Sequence, residues 1–284
     1  MHSRMLKGAL GATALCAALL GGATVQAAEV PLWEVGAGAA VLNAPDYRGS
    51  DQRRNWVLPF PYVVYRGEFL RADEQGVRGL FYKSDRTELN LSINGAIPVD
   101  SEDNVARRGM PDLDPTLEIG PTLNVVLWRA PDTKRRLELR LPLRAVFATD
   151  LSHIHHQGWV FQPNLNFDIK DVLGQPGWNF GLMGGPLFSD RRYNRYLYAV
   201  DPAFATATRP TYNVGDGYAG AQVLASISKR YREFWVGGFV RLDTLRGAVF
   251  ENSPLVQDRN YIAGGVAIAW IFGASKTMVT AESR

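Results

Sequence analysis

Cysteine is almost missing from this chain. Among 284 residues there is one, Cys16, inside an apolar N-terminal stretch. Arg4 and Lys7 precede that stretch, Gly8 to Gly22 carries no charge, and Val25-Gln26-Ala27 puts small residues at the two key positions of a signal-peptidase site. This is the order of a cleavable secretory leader, and its apolar run is too short for a ~20-residue membrane span. Residues 1–27 are therefore expected to be removed, with a cut one residue later as the alternative. Leu15, before Cys16, is too large for lipoprotein processing. The exported chain would then hold no cysteine, so a large core or a closed sheet must do what disulfides do elsewhere.

Other absences narrow the class. Beyond the leader no apolar run approaches the ~18 residues of a membrane helix, which excludes a helical membrane protein. A one-sided charge is missing as well. The formal net charge of +3 includes Arg4 and Lys7, so the pI near 9.0 is no argument for nucleic acid, and none is expected as a partner. Histidine is scarce: past the leader only His153, His155 and His156 occur, in one predicted external loop. A His-x-His pair with Asp150 could ligate a transition metal, while the plainer reading is a solvated loop. No Gly-x-Ser-x-Gly elbow is present, and Ser152 and His153, adjacent on a strand, would diverge. No catalytic set and no cofactor are expected.

What is present is alternation. From Arg136 to Ala148, residues Leu137, Leu139, Leu141, Leu143, Ala145 and Phe147 take one face, while Glu138, Arg140 and Arg144 take the other. No helix places apolar residues on one face at a spacing of two. The pattern recurs around Leu89–Ile97, Leu117–Leu127, Trp159–Ile169, Trp178–Leu182, Ala219–Ile227, Phe234–Leu242 and Ile262–Phe272. Several of these segments fit the ~9–11 residues of a tilted membrane strand better than the ~5–6 of a soluble one. Trp33, Trp56, Trp128, Trp159, Trp178 and Trp270 sit near segment ends, as interfacial girdles require. A soluble β-sandwich also alternates, but not with such lengths and girdles.

Connections fall into two sizes. Short joints are expected at Arg66-Gly67, Lys83–Arg86, Ala130–Lys134, Val172–Pro176 and Lys229–Arg232. Long ones are expected at Ala44–Arg54, Pro98–Pro115, Leu151–Gln157, Ser189–Asp216 and Ala248–Asp258. Short turns belong to the periplasmic side and long loops to the outside. The expected fold is all-β: a transmembrane antiparallel up-and-down barrel over residues 28–272, followed by a short tail over 273–284. It has twelve strands if Glu68–Tyr82 is a hairpin turning near Asp73–Gln75, and ten otherwise. Pro59 and Pro61 remove two ladder donors that would point toward the same neighbour, which suggests a local break in pairing beside that hairpin. The break is either a lateral weak point or a tolerated irregularity.

Inward charges are expected at Glu118, Glu138, Arg140, Arg144, Arg230, Arg241 and Asp243. Their signs are mixed, so they can pair across the lumen and fill it, and a narrow channel is the alternative. The Ser189–Asp216 loop carries Arg191, Arg192, Tyr193, Arg195 and Tyr196, residue types enriched at binding hot spots. Outside the cell such a loop would suit lipopolysaccharide phosphates, or it is an ordinary loop tip.

The segments Trp33–Gly38, Pro45–Asp51, Leu58–Tyr62 and Gly109–Pro121 together resemble the MipA/OmpV family of outer-membrane proteins, across essentially the whole exported chain. That resemblance implies an MltA-interacting scaffold that docks murein-processing enzymes at the outer membrane, with a lytic murein transglycosylase and a penicillin-binding protein as partners. Other members are discussed as porin-like, adhesive or antibiotic-responsive, so a narrow channel or small-solute-binding barrel is the competing expectation. Members usually end on the aromatic of the last strand, whereas this chain continues past Phe272.

Overall fold

The computed structural model describes residues 29–67, 70–73, 76–150 and 152–280; the expected leader lies outside them. The elements run β1 (Glu29–Pro31), β2 (Trp33–Pro45), β3 (Arg53–Arg66), β4 (Leu70–Asp73), β5 (Gly76–Lys83), β6 (Thr87–Ala96), β7 (Thr116–Arg129) and β8 (Arg135–Thr149). Then follow β9 (Ile154–Phe161), β10 (Asn164–Lys170), β11 (Trp178–Ser189), helix α1 (Arg191–Tyr198), β12 (Gly217–Arg230), β13 (Phe234–Thr244), β14 (Asn260–Ala274) and β15 (Met278–Thr280). No helix among the described residues is long and apolar enough to cross a membrane. The crossing is made by strands.

Every ladder is antiparallel, and the sheet closes on itself. β9 and β10 are two halves of one strand, because both lie between β8 and β11. The wall therefore has the twelve strands expected, and β14 closes it against β2. Closure is what lipid demands, since the bilayer offers no partner to an open edge. The hairpin β4–β5 exists and pairs Asp73 with Gly76, where the sequence placed its turn.

Alternation sorts the two faces. Val41, Leu117, Leu143, Leu165, Val223, Val240, Ile262 and Val266 are exposed on the outside. Trp33, Trp128, Phe234, Trp270 and Phe272 stay exposed near the short-turn end, and Trp159 and Phe188 near the other. Trp56 departs from the girdle expectation. It is an even-numbered residue of β3, so it faces the lumen and packs on Leu42, Ala44 and Ala263.

Three further boundaries differ from the sequence reading. β9 begins at Ile154, so the Leu151–Gln157 connection is shorter than expected, and the Ser189–Asp216 loop contains α1. The segment after Phe272 is not simply a tail. After a bulge, Gly273 and Ala274 still pair with Val35 and Glu34, and β15 then pairs with β1, Val30 facing Val279. Leu32 N donates to Thr277 O (2.9 Å) and Ser275 N to Trp33 O (2.9 Å), so both ends of the described chain are clasped at the periplasmic side.

One stretch of wall is incomplete. The β2–β3 ladder is unbroken, with Arg66 N donating to Leu32 O (2.8 Å) at one end and Asp46 N donating to Gln52 O (3.0 Å) at the other. Antiparallel alternation then aims the even-numbered groups of β3 at β2 and the odd-numbered ones, Pro59 and Pro61 included, at the hairpin side. Among the described residues β3 pairs on that side at Tyr65↔Ala72 and Arg66↔Arg71, and the β5–β6 ladder spans Leu80↔Asn90 to Lys83↔Glu88. The local break anticipated from the two prolines is therefore present.

Candidate functional site

Odd and even residues part at the wall, so each strand contributes its polar row to the lumen. Glu138, fully buried, is ion-paired with Arg136 and with Arg140 (2.8 Å), and Arg140 also approaches Asp168 (3.7 Å). Higher up, Arg144 pairs with Glu118 (2.9 Å) and donates to Gln162 Oε1 (3.0 Å), while Asn94 Nδ2 donates to Glu118 Oε2 (3.0 Å). Arg241 Nε lies 2.5 Å from Asp243 Oδ2, and Arg48, entering from the first outer loop, stands 3.4 Å from Asp243 Oδ1. Arg230 turns instead to Glu34 (3.5 Å), which also faces Arg66 (3.8 Å) and the Tyr62 hydroxyl (3.4 Å).

The structure thus brings all seven expected lumen charges to the inner face and pairs each with an opposite charge. Breaking such a buried pair leaves an uncompensated ion, which costs more than the intact pair gains. Glu34, Arg48, Arg66 and Arg136 were missed as partners. The parity of β2 and β3 could have found Glu34 and Arg66; Arg48 is in a loop and carries no periodic signal.

Above the charges the outer loops form a packed cap. Tyr198 stacks on Phe250 with ring centroids 3.7 Å apart, within a cluster that includes Tyr47, Val99, Leu113, Val160 and Leu245. Three arginines act as loop staples rather than surface charges. Arg107 lies over the Tyr47 ring (5.7 Å) and donates to Leu197 O (3.1 Å) and Pro111 O (3.0 Å). Arg209 donates to Ala106 O and Arg108 O (both 3.0 Å), and Arg48 to Ala219 O (3.1 Å). Burial lowers the Arg107 pKa and raises the Tyr47, Tyr193 and Tyr198 hydroxyls, with Tyr196 pushed up to about 12, so these phenols are neutral.

α1 divides the expected external binding set. Asp190 caps it by accepting from Tyr193 N (2.9 Å). Tyr193 and Tyr196 turn into the cap, the latter donating to Asp114 O (3.2 Å). Arg191, Arg192 and Arg195 remain outside, with Arg191 near Asp216 (3.7 Å) and Arg195 paired with Asp201 (3.0 Å). The tyrosines are therefore structural, and only the arginines offer a surface. His153 and His155 are exposed with rings 6.1 Å apart, and His153 lies 3.8 Å from Asp150. His156 turns instead toward Phe147 and Trp159. Among the described residues, no group of three or more His, Cys, Asp or Glu side chains is arranged to hold a metal ion.

Between cap and charges lies a cavity of about 150 Å³. Leu42, Trp56, Ile97, Val99, Leu187 and Phe250 supply apolar walls, and Asn94, Thr116, Glu118 and Arg144 a polar floor.

The family model described as "MltA-interacting protein MipA" matches residues 35–272. No curated protein matches the chain. Among solved structures, it is similar to a "Bacterial polysaccharide outer membrane secretin" at 9% identity, covering 88% of this chain and 99% of that one, with a TM-score of 0.38. It is also similar to the outer membrane protein OprG from Pseudomonas aeruginosa at 10% identity, covering 88% of this chain and 100% of that one, with a TM-score of 0.22.

Proposed function

Because the chain belongs to the MipA family and is a β-barrel of the outer membrane, we propose that it is a non-enzymatic docking protein that holds a lytic murein transglycosylase at the periplasmic face. The leader through Ala27 would be cleaved on export. A penicillin-binding protein would join through the same assembly, and lipopolysaccharide phosphates would meet Arg191, Arg192 and Arg195 outside.

The observation that carries this reading is the periplasmic clasp. β1 and β15 add a two-stranded patch to a rim that otherwise has only short turns, and Arg66 Nη1 fastens it by donating to Pro31 O (2.7 Å). A fixed patch loses little entropy when a partner binds. The lumen supports the reading from the other side, since its charges are paired and its outer end capped.

The test is co-purification from envelope extracts with the full chain as bait. A transglycosylase is expected with the wild type and expected to be lost with Val279→Pro, which removes a clasp N–H at the Val30↔Val279 pair. Repeated absence of any transglycosylase from wild-type eluates would sink the proposal.

A further inference from the structure

We propose that the cavity binds a small apolar molecule bearing one hydroxyl, such as a phenol, and that this occupant passes sideways between the cavity and the outer leaflet along the β3 edge.

Size and chemistry define the occupant. A cavity of about 150 Å³ is of the volume that accepts a single aromatic ring in a protein interior. Its walls are largely apolar, but polar atoms in it are unsatisfied, and two of them lie on neighbouring strands. Asn94 Oδ1 and Thr116 Oγ are buried without a hydrogen-bond partner. They belong to adjacent strands, Asn94 facing Glu118 and Thr116 facing Ala96 across the β6–β7 ladder. A buried polar atom left unpaired costs about 1–3 kcal/mol, so a ligand that satisfies it gains specificity. A hydroxyl donates to the Asn94 oxygen and exchanges a hydrogen bond with Thr116. A charged head is not called for, because Glu118 and Arg144 already neutralise each other at 2.9 Å.

The route follows from the wall. Above, the Tyr198–Phe250 stack and the Arg107 and Arg209 staples close the cap; below, the ion pairs fill the lumen. Sideways, among the described residues, β3 from Arg53 to Pro61 has no ladder partner away from β2. Pro59 and Pro61 present no N–H there, which leaves two fewer unpaired donors at this edge and discourages an added strand. Packing stands in for hydrogen bonding at this place: Trp56, Leu58 and Ile97 all rest on the Leu42–Ala44–Ala263 cluster. Ala96 lines the cavity and is nevertheless exposed, so the cavity opens beside this edge. Side chains can part without breaking a ladder.

Fluorine NMR with para-fluorophenol and fluorobenzene on the purified full chain tests both halves. Saturable binding of para-fluorophenol is expected. Thr116→Val, which removes only the unpartnered hydroxyl, should weaken it about tenfold while leaving fluorobenzene and the unfolding midpoint unchanged. Val57→Trp, which covers this edge from its exposed outer face without touching the cavity lining, should slow exchange about tenfold with the dissociation constant kept within about twofold. Absence of saturable binding, or equal para-fluorophenol affinity in Thr116→Val, overturns the site. Wild-type exchange rates in Val57→Trp overturn the lateral route.

Discussion

In the periplasmic half of the lumen Glu138 sits between Arg136 and Arg140, and Glu34 faces both Arg66 and Arg230; under the outer loops, Tyr198 lies on Phe250 amid Val99, Leu113 and Leu245. The same barrel is thus filled by ion pairs at one end and by apolar packing at the other. The difference comes from the backbone. A strand can send only every second side chain inward, at fixed spacing, so opposite charges on neighbouring strands meet with little adjustment and pin the register. Loops have no such period. They fold over the opening and bury tyrosines and phenylalanine as a soluble core would.

The sharpest way to break this contrast is Glu138→Gln. Arg136 would then lose its carboxylate and Arg140 would keep only Asp168 at 3.7 Å, at a cost of about 3 kcal/mol. A clearly lowered midpoint for the heat-induced shift in gel mobility is expected, with protease resistance of the outer loops retained. An unchanged midpoint would mean that the lumen charges only occupy space.

Phe250→Ala probes the other end. Losing the ring stacked on Tyr198 should cost the cap about 3 kcal/mol. The expected outcome is rapid proteolysis in residues 245–259 and 190–216, with the barrel's mobility-shift midpoint nearly constant. A midpoint that falls as far as in Glu138→Gln would show that cap and wall unfold as one unit.

These two ends were unequally legible in the sequence. Leu137 to Phe147 alternate with Glu138, Arg140 and Arg144, and that period alone tells which charges share a face. Pro59 and Pro61, two apart, pointed at one edge for the same reason. The cap gave no such signal. Tyr193 and Tyr196 looked like hot-spot residues because composition cannot separate a tyrosine that docks a partner from one that docks its own loop; Asp190, the helix cap, decides it here. Trp56 misled similarly, since proximity to a strand end suggests a girdle while its even position in β3 sends it inward. Thr116 and Asn94 were invisible as a site because they become one only when β6 and β7 align.

The smallest expected effect lies in the periplasmic turns, and it bears on whether end connections add to the wall's stability. Asp171 begins the turn between β10 and β11 with φ of 50° and accepts from Gly177 N (2.8 Å) while pairing with Lys134 (2.9 Å). Desolvation by burial raises its pKa, but the Gly177 amide and Lys134 outweigh that, and the net shift is downward. A carboxylate depressed in the folded state stabilises it above the unfolded pKa of about 3.9, and this contribution disappears as pH falls through the lower folded value. The Gly177 amide signal should therefore titrate at a pH below about 3.9. Asp171→Asn, which tolerates the same left-handed backbone, should abolish that titration and change stability at neutral pH by less than about 1 kcal/mol. A Gly177 titration at or above the ordinary aspartate value would show that Lys134 and the turn amide do not hold the carboxylate. The Glu138 and Asp171 pairs would then differ in kind, one built into the wall and the other incidental to its rim.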